Sequence, residues 1–325
     1  MADRAFLGKL AWLYYKEGLT QKEIGRRMGL SRPKVVRLLQ RARAEGIVEI
    51  MIAPDLRLNT GLARDLEERF DLQEAIVTEP TDNPEQSEAI GRAGAHFLDR
   101  VLRDDMKLGI GMGRTIASLL PHLPTRNLRH TIVRTLAGAY EEPGRETNAY
   151  NISWRLADQF NAVVEPLHCP LIVVNRTTRE ALLEDRALRS VLESLDECDI
   201  ALIGLGALDH ASPLVRLGYC TPDQLAALRK KGATGEILGR FYSLGGDVVP
   251  SEFEERIIGI DLAQLCEIPT VIALAYGPHK VHPILGALRT GCINVLVTDR
   301  WTAETILVTD SLKAEQKSDE ASSHP

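Results

Sequence analysis

At 325 residues, 44% of them hydrophobic, the chain is too long for one small domain and holds ample apolar material for a core. Its net charge of −6 hides an asymmetry: residues 1–53 carry 11 Lys+Arg against 5 Asp+Glu, a net of +6, and the remainder a net of −12. No run approaches the ~18 consecutive apolar residues of a membrane span, and the N-terminus lacks a signal peptide's apolar stretch, so a cytoplasmic protein with no membrane partner is expected.

The first expected helix covers residues 3–17, where Leu7, Leu10, Ala11 and Tyr14 make an inward stripe and Gly18 stops it. Thr20 and Glu23 then form a capping box, Ile24 and Met28 share a face, and Gly29 supplies a positive φ that ends the second helix. Ser31 is positioned to cap a third helix that tolerates Pro33 in its first turn. Val35, Leu38, Leu39 and Ala42 repeat at helical spacing and face inward, which sends Arg32, Lys34, Arg37 and Arg41 outward. This is a helix-turn-helix, with its second helix shaped for the DNA major groove. The DNA-contact candidates are Ser31, Arg32, Lys34, Arg37 and Arg41. An ordinary helical hairpin with a solvated basic face is the bland alternative, and the basic head on an acidic body weighs against it. After Gly46, residues 47–52 read as a strand forming one arm of a small wing. The head is assigned to residues 1–53 and a linker to 54–58.

Past a helix at 59–70, short apolar runs alternate with amphipathic helices. Strands are expected at 75–77, 107–110, 131–136, 162–164, 171–173, 200–203, 270–274 and 294–297. Helices are expected at 87–102, 115–120, 148–160, 179–195, 222–230 and 281–291. That alternation predicts a Rossmann-like α/β body, 59–312, with a mostly parallel sheet covered on both faces. Residues 313–325 are polar and read as a disordered tail. The five cysteines (169, 198, 220, 266 and 292) are odd in number and far apart, with no Cys-x-x-Cys pair. A disulfide framework and a structural zinc site are therefore both disfavoured, and no metal is expected.

In such a sheet, ligands collect in loops beyond the carboxyl ends of the strands. The sharpest loop is Gly109-Ile110-Gly111-Met112-Gly113-Arg114-Thr115, running from a strand into a helix. Its glycines let backbone amides approach an anion at a helix N-terminus, and Arg114 and Thr115 add a cation and a hydroxyl. Arg114 stands where the third glycine of G-x-G-x-x-G belongs, and no Gly-Lys-Ser/Thr follows, so neither a dinucleotide site nor a Walker loop is indicated. A tight turn binding nothing is the competing reading. Gly138-Ala139, Gly204-Leu205-Gly206-Ala207 and Gly277-Pro278-His279-Lys280 follow other strands. Gly235-Glu236 and Gly245-Gly246-Asp247 supply carboxylates for sugar hydroxyls, or plain surface turns.

The basic head resembles, together with Gly111-x-Gly113-x-Thr115, Asp199 to Gly206, Gly235 to Tyr242, Gly277-x-x-Lys280 and Ala287 to Asp299, the SorC/DeoR-type sugar-binding transcriptional regulators. The similarity covers nearly the whole chain apart from the tail. It implies a body related to the phosphosugar isomerase and deaminase fold, a phosphorylated sugar as effector, and a dimer or tetramer on double-stranded operator DNA. Carried over by position, the effector-site candidates are Gly111, Gly113, Thr115, Asp247 and Lys280, with Arg114 beside them. The family's second glycine in a Gly-Gly loop is Ala139 here, which narrows or reshapes that edge of the pocket.

The expectation is a DNA-binding regulator of carbohydrate metabolism controlled by a sugar or sugar phosphate, without cofactor or catalysis. The rival is a sugar-phosphate isomerase or deaminase with an accessory DNA-binding head, which would need a positioned acid/base that the scattered histidines do not announce. A DNA-binding scaffold with an empty body is a third reading, against which the glycine-rich loops with cationic ends argue.

Overall fold

Helices α1 (Arg4–Tyr15), α2 (Gln21–Met28) and α3 (Arg32–Ala44) build the head of the computed structural model. The structure describes residues 4–48, 59–81, 85–140 and 147–322, with side chains to Leu312. Most of the expected wing strand and all of the expected linker lie outside the described residues. The chain divides by contacts into Met1–Arg57 and Leu58–Pro325.

The head's core is Leu10, Leu13, Ile24, Val35 and Leu39, with Leu7, Ala11 and Ala42 in a second small cluster. The capping box at Thr20 and Glu23 is formed, and Gly29 adopts the left-handed conformation (φ 67°, ψ 34°). Gly25 has a separate reason: a Cβ there would lie 2.6 Å from the Leu30 carbonyl oxygen, so α2 and its turn pack too closely for any side chain.

The body runs α4 (Thr60–Phe70), β1 (Glu74–Thr78), α5 (Glu85–Val101), β2 (Lys107–Ile110), α6 (Arg114–Ala117), β3 (Ile132–Thr135), α7 (Ala149–Phe160) and β4 (Val163–Glu165). It continues through α8 (Arg176–Leu183), α9 (Arg186–Glu193), β5 (Ile200–Gly204), β6 (Gly206–Ala207), α10 (Pro213–Arg216), α11 (Pro222–Lys230), β7 (Ala233–Ile237) and β8 (Arg240–Ser243). It closes with α12 (Leu262–Glu267), β9 (Thr270–Leu274), α13 (Val281–Arg289), β10 (Val295–Asp299) and α14 (Arg300–Ser322). Seven strands form one parallel sheet in the order β1-β10-β9-β5-β2-β3-β4. Strand residues bury alternately into two cores, Ile110, Leu202 and Leu274 on one face and Ala201, Ile203 and Ala273 on the other. Helices cover both faces, as an all-parallel sheet requires.

Several expectations are corrected. Residues 171–173 pair only through an isolated bridge from Ile172 to Ile257, beside Pro170, which has no amide to donate to a ladder. The helix expected at 179–195 breaks into α8 and α9, because Asp185 turns its side chain onto the amides of Ala187 and Leu188 and starts a new helix. A small antiparallel sheet, β6-β7-β8, stands where the sequence suggested only loops. Its hairpin turns through Leu238 and Gly239, both at positive φ (52° and 85°). Cys266 and Cys292 are paired as a disulfide (Cα–Cα 4.2 Å), brought together by tertiary packing across 26 residues. The backbone is helical to Ser322 where a disordered tail was expected. Low apolar content removes packing, but Lys, Ala, Glu and Gln are good helix formers.

Candidate DNA-binding face and effector site

Ser31 is the N-cap residue of α3 (φ −72°, ψ 150°), yet its hydroxyl makes no cap hydrogen bond, contrary to expectation. The amides it would take are absent or committed: Pro33 has none, and that of Lys34 donates to the Ser31 carbonyl at 2.9 Å. Ser31, Arg32, Lys34, Arg37 and Arg41 are all exposed. Arg32 donates weakly to Gln21 (3.4 Å), and Arg41 is held by Glu45 one turn on (2.5 Å). Among the described residues Lys34 and Arg37 make no ion pair. At 100° per residue, the outermost line of α3 is Pro33, Arg37, Gln40 and Ala44. Gln40 is exposed there and was missed because it carries no charge, although its amide fits adenine. Tyr14, Tyr15, Gln21, Lys22 and Arg32 line an open groove at the start of α2.

In the body, the chain leaves β2 for β3 in one direction and β5 for β9 in the other, so β2 and β5 flank the topological switch point. The loops carrying Gly111 to Thr115 and Gly204 to Gly206 emerge side by side at that crevice. Gly111 donates to the Leu202 carbonyl (2.8 Å), and a Cβ on Gly204 would come within 3.2 Å of the Met112 carbonyl oxygen. Gly113 adopts φ 125° and donates to Thr147 (2.9 Å). Two amides of the glycine loop are thus already committed, a correction to the sequence picture. Among the described residues, the loop and first-turn amides left without a backbone acceptor are those of Met112, Arg114, Thr115 and Ile116. The helix they open, α6, has only four residues rather than the expected 115–120, which weakens its dipole.

Lys280 reaches this crevice from the β9 loop and donates from Nζ to the Leu205 carbonyl (2.6 Å). Burial lowers its pKa, against the opposing pull of the Glu236 and Asp209 carboxylates, and Arg114 adds to the lowering. Arg114, Asp209, Glu236 and Lys280 therefore share one electrostatic neighbourhood. His279 lies in it too, its pKa held down by burial and by Lys280 and Arg114. Glu236 comes from β7. One of its oxygens accepts from the Gly239 amide (2.7 Å), and the other occupies the space beside Gly206, where a Cβ would sit 1.6 Å away. Burial pushes the Glu236 carboxyl up, with the Gly239 amide and Lys280 opposing.

Asp247 is not part of this group. It is exposed in the turn after β8, bonded to Ser243 (Asp247 amide to Oγ, 3.2 Å), and its neighbour Gly246 packs on the Arg289 carbonyl at the far end of α13. A nine-residue helix spans about 13 Å, so Asp247 and Lys280 stand at opposite ends of one rod. Glu236, which the sequence reading named with Asp247 as a carboxylate for sugar hydroxyls but left out of the effector-site candidates, is the one of the two that lies beside Lys280. No cluster of three or more metal-ligating side chains occurs among the described residues, and none of the described helices is long and apolar enough to cross a membrane.

This combination defines a class: a helix-turn-helix head on a parallel α/β ligand-binding body. Residues 55–308 match the family described as "Putative sugar-binding domain", and residues 10–55 match the MarR family. The chain belongs to the SorC/DeoR-type sugar-binding transcriptional regulators. It is 31% identical over 314 residues to the sorbitol operon regulator of Klebsiella pneumoniae, covering 94% of this chain and 98% of that one. The crystal structure of that full-length regulator, SorC, aligns over 94% of this chain and 100% of its own with a TM-score of 0.71. The transcriptional regulator LsrR of Klebsiella pneumoniae is 29% identical over 94% of both chains. The deoxyribonucleoside regulator of Bacillus subtilis is 29% identical over 91% of this chain and 95% of its own. The protein is a transcriptional regulator with a DNA-binding head and a sugar-binding body.

Proposed function

We propose that this regulator is cytoplasmic, binds a phosphorylated sugar at the β2/β5 crevice, and changes its operator affinity in response without turning the ligand over. The observation that carries the reading is the convergence of Lys280, Arg114 and the first-turn amides of α6 on one crevice that also holds the half-buried Glu236. The cations and amides suit a phosphate, and Glu236 suits sugar hydroxyls, rejecting analogues that would leave a desolvated carboxylate unpaired. The ligand shifts operator affinity only by its differential affinity for the two arrangements of the protein. Association through the body into a homo-oligomer presents two heads to a two-fold operator, with half-sites about 10–10.5 base pairs, or a multiple, apart.

Calorimetry with matched free and phosphorylated sugars, on wild type, Thr115→Ala and Lys280→Ala, tests the site. Both variants should lose affinity for the phosphorylated member of the best pair while keeping the weaker binding of the free sugar. Equal binding by wild type and both variants places the site elsewhere. Glu236 with its raised pKa beside Lys280 is also what a proton-transferring isomerase would present. Conversion of the best ligand at enzymatic rates, followed by proton exchange at the carbon next to its carbonyl, would favour that second reading.

A further inference from the structure

We infer that Cys266 and Cys292 form a reversible redox modification site, a dithiol that a low-molecular-weight disulfide converts to the bond the structure holds. It gives the regulator a second input, because the covalent ring so closed contains β9, the Lys280 loop and α13. That second input rests on the reading of Lys280 as an effector ligand; the modification itself does not.

In the cytoplasm proposed for this protein, thiols are kept reduced, so a disulfide there belongs to a pair that turns over. The other three cysteines, Cys169, Cys198 and Cys220, are buried and free. Burial pushes the Cys169 thiol up to about 12 and the Cys198 thiol up to about 11, which keeps both unreactive. The 266/292 pair differs because one of its sulfurs is reachable. Cys266 is exposed near the end of α12, whereas Cys292 is 2% exposed. The pair has one sulfur for entry and one to resolve the intermediate.

Both oxidation states fit the same frame. Cys292 Sγ lies 3.3 Å from the Leu262 carbonyl oxygen of α12, so a reduced Cys292 thiol has an acceptor in place and no buried donor is stranded. The backbone also holds the two ends of the ring together without the sulfur bond. The Asn294 amide donates to the Val271 carbonyl (3.1 Å), and the Val271 amide donates to Asn294 Oδ1 (2.7 Å). The sulfurs therefore stay close after reduction, and closure outruns capture of a second small thiol.

Oxidation takes two exchanges. The Cys266 thiolate attacks one sulfur of the small disulfide, forming a mixed disulfide and expelling one small thiolate. Cys292 then loses its proton, its thiolate attacks the Cys266 sulfur, and the second small thiolate leaves. The protein gives up two electrons and two protons, and the small disulfide takes them up as two thiols. Reduction retraces these steps.

The test equilibrates the full-length protein without oxygen at graded ratios of reduced to oxidised glutathione. Samples are quenched in acid, alkylated under denaturing conditions and weighed by mass spectrometry. Alkylated cysteines should fall from five to three in one step as the ratio drops. Cys292→Ser, whose hydroxyl can still meet the Leu262 carbonyl, should trap one glutathione on Cys266, and Cys266→Ser should trap none on Cys292. Hydrogen exchange of the β9 amides should be at least about tenfold slower in the oxidised protein, since the ring removes chain entropy from the locally opened state. Calorimetry should show tighter binding of the phosphorylated sugar by the oxidised form. Three alkylated cysteines at every ratio would make the bond a permanent strut, and five at every ratio would show that it does not form; either overturns the inference. Equal exchange and equal sugar affinity in the two forms would overturn the second input. A protein that binds no sugar in either form, yet passes from five thiols to three, would refute the effector reading and uphold the modification site.

Discussion

Arg37 is the most discriminating place to perturb the head. It lies on the outermost line of α3, exposed, and no ion pair among the described residues has to break before it can reach a base. A bidentate arginine on guanine discriminates by about 1–3 kcal/mol, and a symmetric pair of heads makes the contact twice, so Arg37→Ala should cost about 2–6 kcal/mol on a full operator. Arg41 differs because it is held by Glu45 at 2.5 Å. Releasing an exposed i, i+4 pair costs about 0.3–0.5 kcal/mol, small against a phosphate contact, so Arg41 remains available to the DNA backbone. The assay is fluorescence anisotropy on an operator fragment selected from a random pool by the wild-type protein, repeated over a salt series. Arg37→Ala should relax preference at one base pair per half-site and change the salt slope little. Arg41→Ala should weaken all sequences alike and flatten the slope by about 0.9 per lost phosphate contact. Unchanged operator binding by a folded Arg37→Ala protein would take α3 out of the groove and refute the reasoning.

In the body, Gly206→Ala should push the Glu236 carboxylate off the Gly239 amide, because the added carbon falls on its oxygen. Calorimetry should then show at least about a tenfold loss of sugar affinity, the worth of one charged hydrogen bond, with ligand-free operator binding unchanged. Asp310 tests the joint beneath α14: burial raises its pKa, but hydrogen bonds from Arg289 and Arg69 more than offset this and hold it below the ordinary carboxylate value. Asp310→Asn should cost about 3 kcal/mol in denaturant unfolding at neutral pH, the low end for a broken buried pair because the Arg69 side chain is 47% exposed. A carboxyl with a depressed folded pKa contributes stability above its unfolded value, near 3.9, and loses it as pH falls through the folded one. The gap between wild type and variant should therefore close in acid.

The three helices of the head were legible because their signals are local: a capping box, a turn glycine and an apolar stripe all fall within one short stretch, while the missing Ser31 cap bond depends on backbone partners that sequence does not display. The parallel strands were legible because burial on both faces makes them continuous apolar runs. The β6-β7-β8 sheet was not, since Gly206 and Gly235 are glycine for close approach to Glu236 and Tyr242, and glycine in a sequence reads as loop. The glycines made Gly235-Glu236 and Gly245-Gly246-Asp247 read alike as loops, although Glu236 lies on a strand beside Lys280 and Asp247 sits in a surface turn. Sequence also cannot see that two amides of the Gly111–Gly113 loop are already bonded to Leu202 and Thr147. Cys266 and Cys292 meet only through the packing around α12 and α13.

Helix α13 begins at the Lys280 loop and ends with Arg289, which bonds both the Leu244 carbonyl (2.8 Å) and Asp310 of α14. Tyr242 fixes its first turn through the Pro283 carbonyl (3.0 Å), and a Cβ on Gly286 would sit only 2.7 Å from the Ser243 carbonyl oxygen, so its flank lies against the β7-β8 hairpin that carries Glu236. A close-packed helix of this length has little room to bend or compress. Lys280 at one tip and the Arg289–Asp310 clasp at the other are consequently a single mechanical part. A displacement of the Lys280 backbone would therefore be passed along this rod to the root of α14.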